Sequence, residues 1–544
     1  MEFSVSGNIV DVVEGRIYPG KIFIRNGVII GIKREKVGGY ANFILPGFID
    51  SHIHIESSML PPGIFAKQAV RFGTVATISD PHEIANVCGI EGIKYMIEEG
   101  ERTPFKFFFG APSCVPATAF ETSGAKIDAK DIEFVFKNFN ITYLSEMMNF
   151  PGVINEVPDV IAKIDVAKKF GYPIDGHCPG LRGEDLKKYI SKGITTDHES
   201  LSRDEAEEKI LNQMKILIRE GSAAKNFDAL MPLLGKYPHM VMFCSDDLHP
   251  FELQKGHINL LVKKAVGVGY DLFDVLRAVS LNPVVHYQIP VGLLRVGDDA
   301  DFIIVDNLED FNVLETYIQG KLVANKNGTT FEIETTRLIN NFNIGFITKE
   351  QLNLYVTSSK KIRVIEAIDG SLATNSIVEE AKVEDGFAIS DPERDILKIV
   401  VVNRYSTSAP SIGFVKGFGL KKGALATSVA HDSHNIIALG VSDEVIVRAV
   451  NLIIESKGGM AFVDDNKEEV LPLPIAGLMS DLPVERVSEV YLKIEEAVKN
   501  AGSKLTSPLM TLSFMSLLVI PSLKISDRGL FDVDKFQFTS LFVE

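Results

Sequence analysis

Hydrophobic and polar residues alternate along the first 45 residues of the chain, as they do in half-buried strands. Asn26 and Gly27 separate two such runs, and an Asn-Gly pair in that position is a strong hairpin signal. Short alternating runs return after residue 290. We therefore predict a small composite β-sandwich domain whose two parts, residues 1–45 and 291–335, are distant in the sequence.

Between these two parts, over residues 46–290, the pattern changes to a repeat of strand, loop and helix. Eight apolar runs have the length and composition of buried strands: FILPGFID, TVATISD, KFFFGAP, ITYLSEM, YPIDGH, GITTDHE, MKILIRE and HMVMFCSDD. Eight strands with helices between them predict an α/β fold, a (β/α)8 TIM-type barrel. Ser202 and Glu205 form an S-x-x-E capping box, which predicts the start of one of the helices.

Residues 336–544 form a third region with strands and helices of their own, for which we predict an α+β domain. Its clearest helix is VSEVYLKIEEAVKNAG, in which five apolar residues fall at helical spacing: Val487, Val490, Tyr491, Ile494 and Val498.

Composition and charge restrict the partners of the chain. Its 544 residues are 46% hydrophobic and 24% charged, as in ordinary globular proteins, and carry a net charge of −16. Such an acidic chain repels nucleic-acid phosphates and anionic membrane surfaces, so we expect neither as a partner. The N-terminus lacks the features of a secretory signal, and four cysteines without a CxxC pair fit the cytoplasm. A homo-oligomer is left open.

His52 and His54 stand two residues apart in a strand-like run, in PGFIDSHIHIESS. Side chains alternate across a strand, so both imidazoles point to the same side and could bind a metal together. Two histidines on a protein surface are the alternative interpretation.

Polar residues at the ends of later predicted strands favour the metal site. Glu146, His177, His198 and Asp246 follow four of the apolar runs. The active sites of (β/α)8 barrels gather at the C-terminal strand ends, so these residues should converge with the two histidines. Four histidines and two carboxylates can hold two divalent ions, with a carboxylate and a water bridging them.

Several longer motifs carry a family resemblance: PGFIDSHIHIESSM, SDPHEIANVCG, SCVPAT, EMMNFPGVI, DGHCPGL, IREGSAAKN, GFGLKKGALATSVAHDSHNI, LPLPIAGLMS and GLFD. With them the chain resembles the amidohydrolase superfamily and, within it, the adenine deaminases of bacteria and archaea. H-x-H marks only the superfamily, whereas HIESSM, DPHEIANV and AHDSHNI together are specific to adenine deaminases. The resemblance extends from the first barrel strand almost to the C-terminus and makes residues 336–544 the C-terminal adenine deaminase domain.

The resemblance implies hydrolytic deamination of adenine to hypoxanthine and ammonia, a purine salvage reaction, with adenine and water as substrates. It makes His52 and His54 ligands of a first metal, Glu146 a bridge, and His177 and His198 ligands of a second metal. Asp246 would contact metal and water. Mn(II) or Fe(II) is the expected metal, and Zn(II) also suits such ligands. Related dihydroorotase-like enzymes often carry a carbamylated lysine at the bridging position. Here the corresponding residue is Glu146, which favours the adenine deaminases.

The implied chemistry needs both a base and an acid. A metal lowers the pKa of its water toward about 7, and Asp246 is placed to take the proton and pass it to the leaving amino group. Protonation of a purine ring nitrogen needs a separate acid, for which Glu83 or Asp80 is our hypothesis. The alternative is that both only cap the helix that follows.

Other residues and motifs are predicted to lie in the site or remain without an assigned role. We expect His82, Ser57 and Ser58 to contact the substrate. The cluster His431-Asp432-Ser433-His434-Asn435 could be a hydrogen-bonded turn, a lid over the barrel mouth, or a separate site. The glycine-rich run KGFGLKKG matches no nucleotide phosphate motif.

Two other functions remain open from the sequence. One is another amidohydrolase, acting on a cyclic amide or an N-acetyl group, which would share the metal cluster. The other is a non-catalytic scaffold of the same fold, but such proteins usually lose ligands, and here all six are present.

Overall fold

The structure, a computed structural model, describes residues 2–36, 39–222, 224–333, 337–356 and 360–543. These residues form two compact units. The first unit contains residues 2–82, 94–114 and 127–333, and the second contains residues 83–93, 115–126 and 337–543.

The first unit contains a mixed sheet of eight strands, four from the N-terminal part of the unit and four from its C-terminal part. Its order is β16-β15-β14-β13-β4-β1-β2-β3, so β4 pairs with β13 across the whole length of the intervening barrel. Arg25 pairs with Val28, which leaves Asn26 and Gly27 as a two-residue hairpin loop with positive φ angles, as predicted. The strands are β1 (Glu2–Asp11), β2 (Arg16–Arg25), β3 (Val28–Arg34), β4 (Phe43–Pro46), β13 (Phe302–Val305), β14 (Val313–Ile318), β15 (Lys321–Asn325) and β16 (Gly328–Thr329).

Eight short parallel strands form the barrel, and seven of them lie within predicted runs. The first predicted run, residues 43–50, is instead divided between β4 of the other sheet and β5, which continues to Ile53. They are β5 (Phe48–Ile53), β6 (Thr74–Ser79), β7 (Lys106–Phe109), β8 (Leu144–Met147), β9 (Ile174–Gly176), β10 (Thr196–Asp197), β11 (Lys215–Arg219) and β12 (Val241–Cys244). Parallel ladders and bridges join each strand to the next, and the bridge between Ile53 and Asp246 closes the ring. The predicted TIM-type barrel is therefore confirmed.

Helices follow the barrel strands and cover them. In the cluster around β11 and β12, Ala206 and Ile210 of one helix and Val262 of another pack against Ile216 and Phe243. The helices are α1 (Pro62–Ala69), α2 (His82–Glu101), α3 (Ala129–Asn138), α4 (Phe150–Ile154), α5 (Pro158–Phe170), α6 (Gly183–Ser191), α7 (Arg203–Leu211), α8 (Phe227–Leu230), α9 (Pro232–Lys236), α10 (Pro250–Leu253), α11 (Ile258–Gly267), α12 (Leu272–Ala278) and α13 (Leu281–Tyr287).

The predicted capping box at α7 is formed only in part. Ser202 is the N-cap, and its hydroxyl accepts a hydrogen bond from the Glu205 amide at 3.4 Å. The Glu205 carboxylate does not return this bond to Ser202. It accepts from the Gly180 amide and from the Lys209 ammonium, both at 2.8 Å, because a buried cation is a stronger partner than a backbone amide.

The second unit is built on another eight-stranded sheet, in the order β18-β17-β22-β21-β24-β23-β25-β26. Its strands, with those of two smaller sheets, are β17 (Lys361–Ala367), β18 (Thr374–Glu380), β19 (Lys382–Glu384), β20 (Phe387–Ile389), β21 (Leu397–Val402), β22 (Ser411–Lys416), β23 (Ala424–Thr427), β24 (Ile436–Gly440), β25 (Gly459–Val463), β26 (Glu468–Pro472), β27 (Leu523–Ser526), β28 (Gly529–Asp532) and β29 (Gln537–Phe538).

The second unit also contains the helices α14 (Asp443–Glu455), α15 (Val484–Asn500) and α16 (Pro508–Ser513), besides residues 83–93 of α2. The α14 helix packs an apolar face on the sheet, with Ile446, Val450 and Ile453 in one core with Val400 and Ala438. All five apolar residues that predicted α15 are buried, so this helix is confirmed. Among the described residues, no helix combines the length and the apolar composition needed to cross a membrane.

The domain boundaries predicted from the sequence stay a proposal. Residues 83–93 and 115–126, which the sequence analysis places in the barrel, cluster with the second unit. The α2 helix is interrupted at Gly89, whose φ of 61° and ψ of −143° are not helical. Glycine suits this position because a side chain would be strained there.

Candidate metal centre

The six predicted metal ligands all lie at the C-terminal ends of barrel strands. His52 is the penultimate residue of β5, His54 directly follows that strand, and Glu146 is in β8. The remaining three ligands follow β9, β10 and β12 within two residues: His177, His198 and Asp246. The structure brings all six together in the first unit, where their polar atoms form overlapping groups within 4.8 Å.

One side of the cluster consists of His52, His54 and Asp246, all of them buried. The Nε2 atoms of the two histidines are 3.2 Å apart. Asp246 Oδ1 lies 3.2 Å from His54 Nε2 and 3.5 Å from His52 Nε2. Two imidazole nitrogens and one carboxylate oxygen therefore converge on one point.

Glu146 lies between this side of the cluster and a second pair of histidines. Its Oε1 is 3.3 Å from His54 Nε2, whereas its Oε2 is 2.7 Å from His177 Nδ1 and 3.2 Å from His198 Nε2. The two oxygens of one carboxylate are thus shared between the two histidine pairs. This is the arrangement that a carboxylate bridging two cations requires.

The hydrogen bonds of His54 decide which of its nitrogens can bind a metal. His54 Nδ1 is 3.1 Å from the backbone oxygen of Asp80. A carbonyl oxygen only accepts, so Nδ1 carries the proton and Nε2 presents its lone pair to the cluster. Metal-binding histidines usually donate their second N–H in this way. These nitrogen and oxygen atoms therefore fit divalent ions as ligands. Binding of metal ions would also explain why several imidazoles converge at a buried position.

Both cluster carboxylates are held in the charged form that a metal ligand needs. Burial alone would raise the pKa of Asp246, but mainly the Arg219 guanidinium holds it well below its usual range. The pKa of Glu146 is likewise held well below its usual range, against burial, mainly by His177.

Glu199 and Arg219 belong to the site, and the sequence analysis missed them. Glu199 follows His198, and its Oε1 is 3.6 Å from His198 Nε2 and 3.8 Å from His177 Nδ1. Arg219 ends β11 and pairs with both Glu199 and Asp246. Both residues obey the strand-end rule that found the histidines, so that rule could have found them too.

Two residues of the DPHE motif lie beside the cluster. His82 Nδ1 is 3.2 Å from Asp80 Oδ2 and 3.5 Å from Glu146 Oε1. Asp80 Oδ1 also accepts a hydrogen bond from the His82 amide at 3.1 Å, at the first residue of α2. Asp80 therefore caps the helix and contacts the site at the same time.

Glu83, the third residue proposed for catalysis, belongs to the second unit together with its partners. Its Oε1 is 2.7 Å from His431 Nδ1, and its Oε2 is in contact with His434 Nε2. The Ala430 amide donates to His434 Nδ1 at 3.3 Å, so the proton of this ring is on Nε2 and faces Glu83. In this structure the three side chains therefore form a hydrogen-bonded array, although the same residue types could also hold a metal ion.

The two serines predicted to contact the substrate differ in their surroundings. The Ser58 hydroxyl donates to the Ile55 carbonyl oxygen at 2.6 Å and accepts from the Leu60 amide, so it is used within its own turn. The Ser57 hydroxyl donates to Asp247 Oδ1 at 2.5 Å.

A buried network supports the strand that carries His52. Asp50 Oδ1 accepts from the amides of His52 at 3.3 Å and Ser245 at 3.1 Å, and Asp50 Oδ2 is 2.9 Å from His257 Nε2. Thr74 lies 2.8 Å from the other nitrogen of the His257 ring. These bonds tie β5 to β12 at the level of the cluster.

Comparison with known proteins agrees with this geometry. Residues 43–323 match the model of the amidohydrolase family, and residues 371–537 match the adenine deaminase C-terminal domain. The chain is 50% identical to an adenine deaminase of Salinibacter ruber, over 100% of this chain and 99% of the relative. It is 52% identical to the adenine deaminases of Methanosarcina barkeri and a Sulfurovum species, over 98% of each chain. This chain therefore belongs to the adenine deaminases of the amidohydrolase family.

Proposed function

We propose that this chain hydrolyses adenine to hypoxanthine and ammonia at a centre of two divalent metal ions. His52, His54 and Asp246 would hold one ion, His177 and His198 the other, and Glu146 would bridge them. The observation that carries the proposal is the division of the two Glu146 oxygens between the two histidine pairs. Full-length similarity to adenine deaminases supports the substrate.

When bound, two divalent ions lower the pKa of water and so supply a nucleophile near neutral pH. Asp246 is the base that we assign to this reaction. Its Oδ1 faces the two histidines and its Oδ2 faces Arg219, so one oxygen is directed into the site. From there it can accept a proton and return it to the departing amino group.

For protonation of the purine ring we favour the pair of Asp80 and His82. His82 Nδ1 and Asp80 Oδ2 are 3.2 Å apart, beside Glu146. The pair can therefore hold a proton at His82 Nδ1 or Asp80 Oδ2 and pass it to the purine ring. Glu83, the other candidate, has an imidazole nitrogen at each of its oxygens. A proton donor there would have to give up one of these bonds.

The wider setting of the reaction is also part of the proposal. We propose purine salvage in the cytoplasm, which four free cysteines support because thiols persist in reducing compartments. Mn(II) or Fe(II) is our choice of metal, with Zn(II) as the alternative, since all three accept imidazole and carboxylate ligands.

Reconstitution of the metal-free protein tests these statements together. Mn(II) is added under reducing conditions, and adenine loss, ammonia release and metal per chain are measured in the same samples. We expect ammonia and hypoxanthine in equal amounts, with the highest rate at two ions per chain. The Glu146→Gln variant should lose at least one ion and most of the activity. Glu99→Gln, a buried glutamate paired with Arg102 instead, is the matched control.

The outcomes separate the competing functions. Two tightly bound ions without adenine turnover would move the substrate to a cyclic amide or an N-acetyl compound. Absence of metal from an otherwise folded protein would overturn the proposed centre. For the acid that protonates the purine ring, Glu83→Gln should retain turnover, whereas Asp80→Asn should lose it with both ions still bound. The reverse pattern would show that Glu83 is the acid instead.

A further inference from the structure

Arg219 is a buried cation in the middle of the candidate metal centre. It is the last residue of β11, and only 3% of its surface is exposed. Burying a charge is costly unless it is paired and hydrogen bonded. A positive charge is also unexpected beside residues that bind cations, so its partners should explain its presence.

The guanidinium of Arg219 holds two carboxylates at once. Its Nη1 is in contact with Asp246 Oδ2 and with Glu199 Oε1, and its Nη2 donates to Glu199 Oε2 at 3.0 Å. The contact with Glu199 is the bidentate pairing that suits the planar guanidinium group.

These contacts fix which carboxylate oxygens face the histidines. Because Asp246 Oδ2 is engaged by Arg219, its Oδ1 is the oxygen that lies 3.2 Å from His54 Nε2. Glu199 is held with its Oε1 3.6 Å from His198 Nε2. A single cation thus sets the orientation of one carboxylate on each side of the centre.

The arginine is itself fixed by the surrounding backbone. Its amide donates to Asn226 Oδ1 at 2.8 Å, and Asn226 Nδ2 donates to the carbonyl oxygens of His198 and Ser200, both at 3.1 Å. The end of β11 and the loop that carries His198 therefore form one hydrogen-bonded frame, from which the guanidinium extends.

We propose that Arg219 is a positioning residue for deamination, which orients Asp246 as the base and holds Glu199 beside the second histidine pair. The proposal rests on the proposed function. Without the guanidinium, Asp246 could rotate and present either oxygen. An error of about 1 Å in the position of a reacting group costs about 100-fold in rate.

The role in positioning can be distinguished from a role in holding metal. Arg219 is a positive charge close to the proposed cation sites, and like charges repel. Its removal should therefore leave the metal bound at least as tightly as before, while the reaction slows. A residue that merely supported the metal site would lose metal and activity together.

The experiment compares Arg219→Ala with Arg219→Lys and with a control, Arg277→Ala. Arg277, which is partly buried in the first unit, donates instead to Asp274 and to the Val12 carbonyl oxygen. We measure kcat, KM, Mn(II) per chain and the Kd for Mn(II) against a competing chelator. Activity is then repeated in millimolar guanidinium chloride, which can fill the space left by the removed side chain.

For Arg219→Ala we expect kcat to fall about 100-fold. KM should change less than about threefold, because ground-state binding is untouched. Two ions per chain should remain, guanidinium should restore at least about tenfold, and Arg277→Ala should show neither loss nor rescue. Arg219→Lys keeps the positive charge but not the planar guanidinium group that pairs with two oxygens. Its kcat should lie between those of the parent and of Arg219→Ala.

Two results would overturn the proposal. One is loss of metal in proportion to activity, and the other is a folded Arg219→Ala that guanidinium does not rescue. If Arg219→Ala does not fold, Arg219→Lys provides the test. A full parental kcat with two bound ions in that variant would refute positioning by the guanidinium group. Failure of the proposed function is seen separately, because the parent protein itself would then hold two ions without converting adenine.

Discussion

Lys209 offers a quantitative test of how the strand ends that carry His177 and His198 are held. It is fully buried in α7. Its three N–H groups lie within hydrogen-bond distance of four acceptors: the Cys178 carbonyl oxygen at 2.8 Å, Asp197 Oδ2 at 3.0 Å, the Ser200 hydroxyl at 3.0 Å and Glu205 Oε1 at 2.8 Å. One cation therefore ties together the segments after β9 and β10.

Replacing Lys209 by Met keeps the apolar stem but removes the charge and the hydrogen bonds of the ammonium group. Asp197 and Glu205 remain buried without a cation, and breaking a buried pair from one side costs about 3–5 kcal/mol. For units of more than 150 residues, each kcal/mol lowers the melting midpoint by about 2 °C or slightly more. We expect the first unit of the Lys209→Met variant to melt roughly 6–10 °C below the parent.

The assay has to resolve two units and cannot use tryptophan fluorescence, because the chain contains no tryptophan. Calorimetry is suitable, and the transition that shifts on metal removal identifies the first unit, since ligand binding stabilises only the unit that binds. A second variant, Lys209→Met with Glu205→Gln, removes one of the two uncompensated charges. It should recover about 1–2 kcal/mol of the loss, because a neutral amide is cheaper to bury.

An unchanged or raised midpoint for Lys209→Met would refute the reasoning, because the buried charges would then cost nothing to leave unpaired. Failure of the double variant to recover stability would attribute the loss to packing instead. Lys187→Ala is the control. Lys187 pairs with Glu184 on the surface of α6, and exposed pairs contribute little, so we expect no measurable shift.

Three further predictions concern other parts of the molecule. Burial raises the pKa of Glu121 to about 8 from 4.5, so the folded state keeps a proton that the unfolded chain has lost between these values. Stability of the second unit should therefore fall as the pH rises through this window, and Glu121→Gln should flatten the fall, as measured by urea unfolding at several pH values. If Ser57 contacts the substrate as predicted, Ser57→Ala should raise KM for adenine. The Ser58 hydroxyl is used within its own turn, so Ser58→Ala should cost about 1 kcal/mol of stability and leave KM unchanged. Glu146 is the proposed bridge, in place of a lysine that would need bicarbonate to be carbamylated. Metal reconstitution should therefore proceed equally with and without bicarbonate, and a requirement for bicarbonate would contradict this role.

The barrel could be predicted because its strands are buried on both faces. Val241–Cys244, for example, is completely buried, so it stands in the sequence as an unbroken apolar run. Polar residues directly after such runs are then conspicuous. His177 and His198 were found in this way, and the structure places both at strand ends beside Glu146.

Residues whose partners are distant in sequence could not be predicted from local patterns. Glu83 meets His431 and His434, which are 348 and 351 positions away, and no short motif indicates that encounter. The strand-end rule places Arg219 at the rim of the barrel, but its partners cannot be read from the sequence. Only the fold shows that it is buried between Asp246 and Glu199.

Strand pairing, more than the choice of any single ligand, determines whether this centre forms. His54 and Asp246 come from opposite ends of the barrel sequence, and they meet because β12 pairs with β5 through the bridge of Ile53 with Asp246. Side chains alternate along a strand, so a register shift of one residue would turn the Asp246 carboxylate away from His54. Asp50 opposes such a shift, since its carboxylate binds the Ser245 amide and the His52 amide together. The network behind the site thus fixes the register on which the positions of the ligands depend.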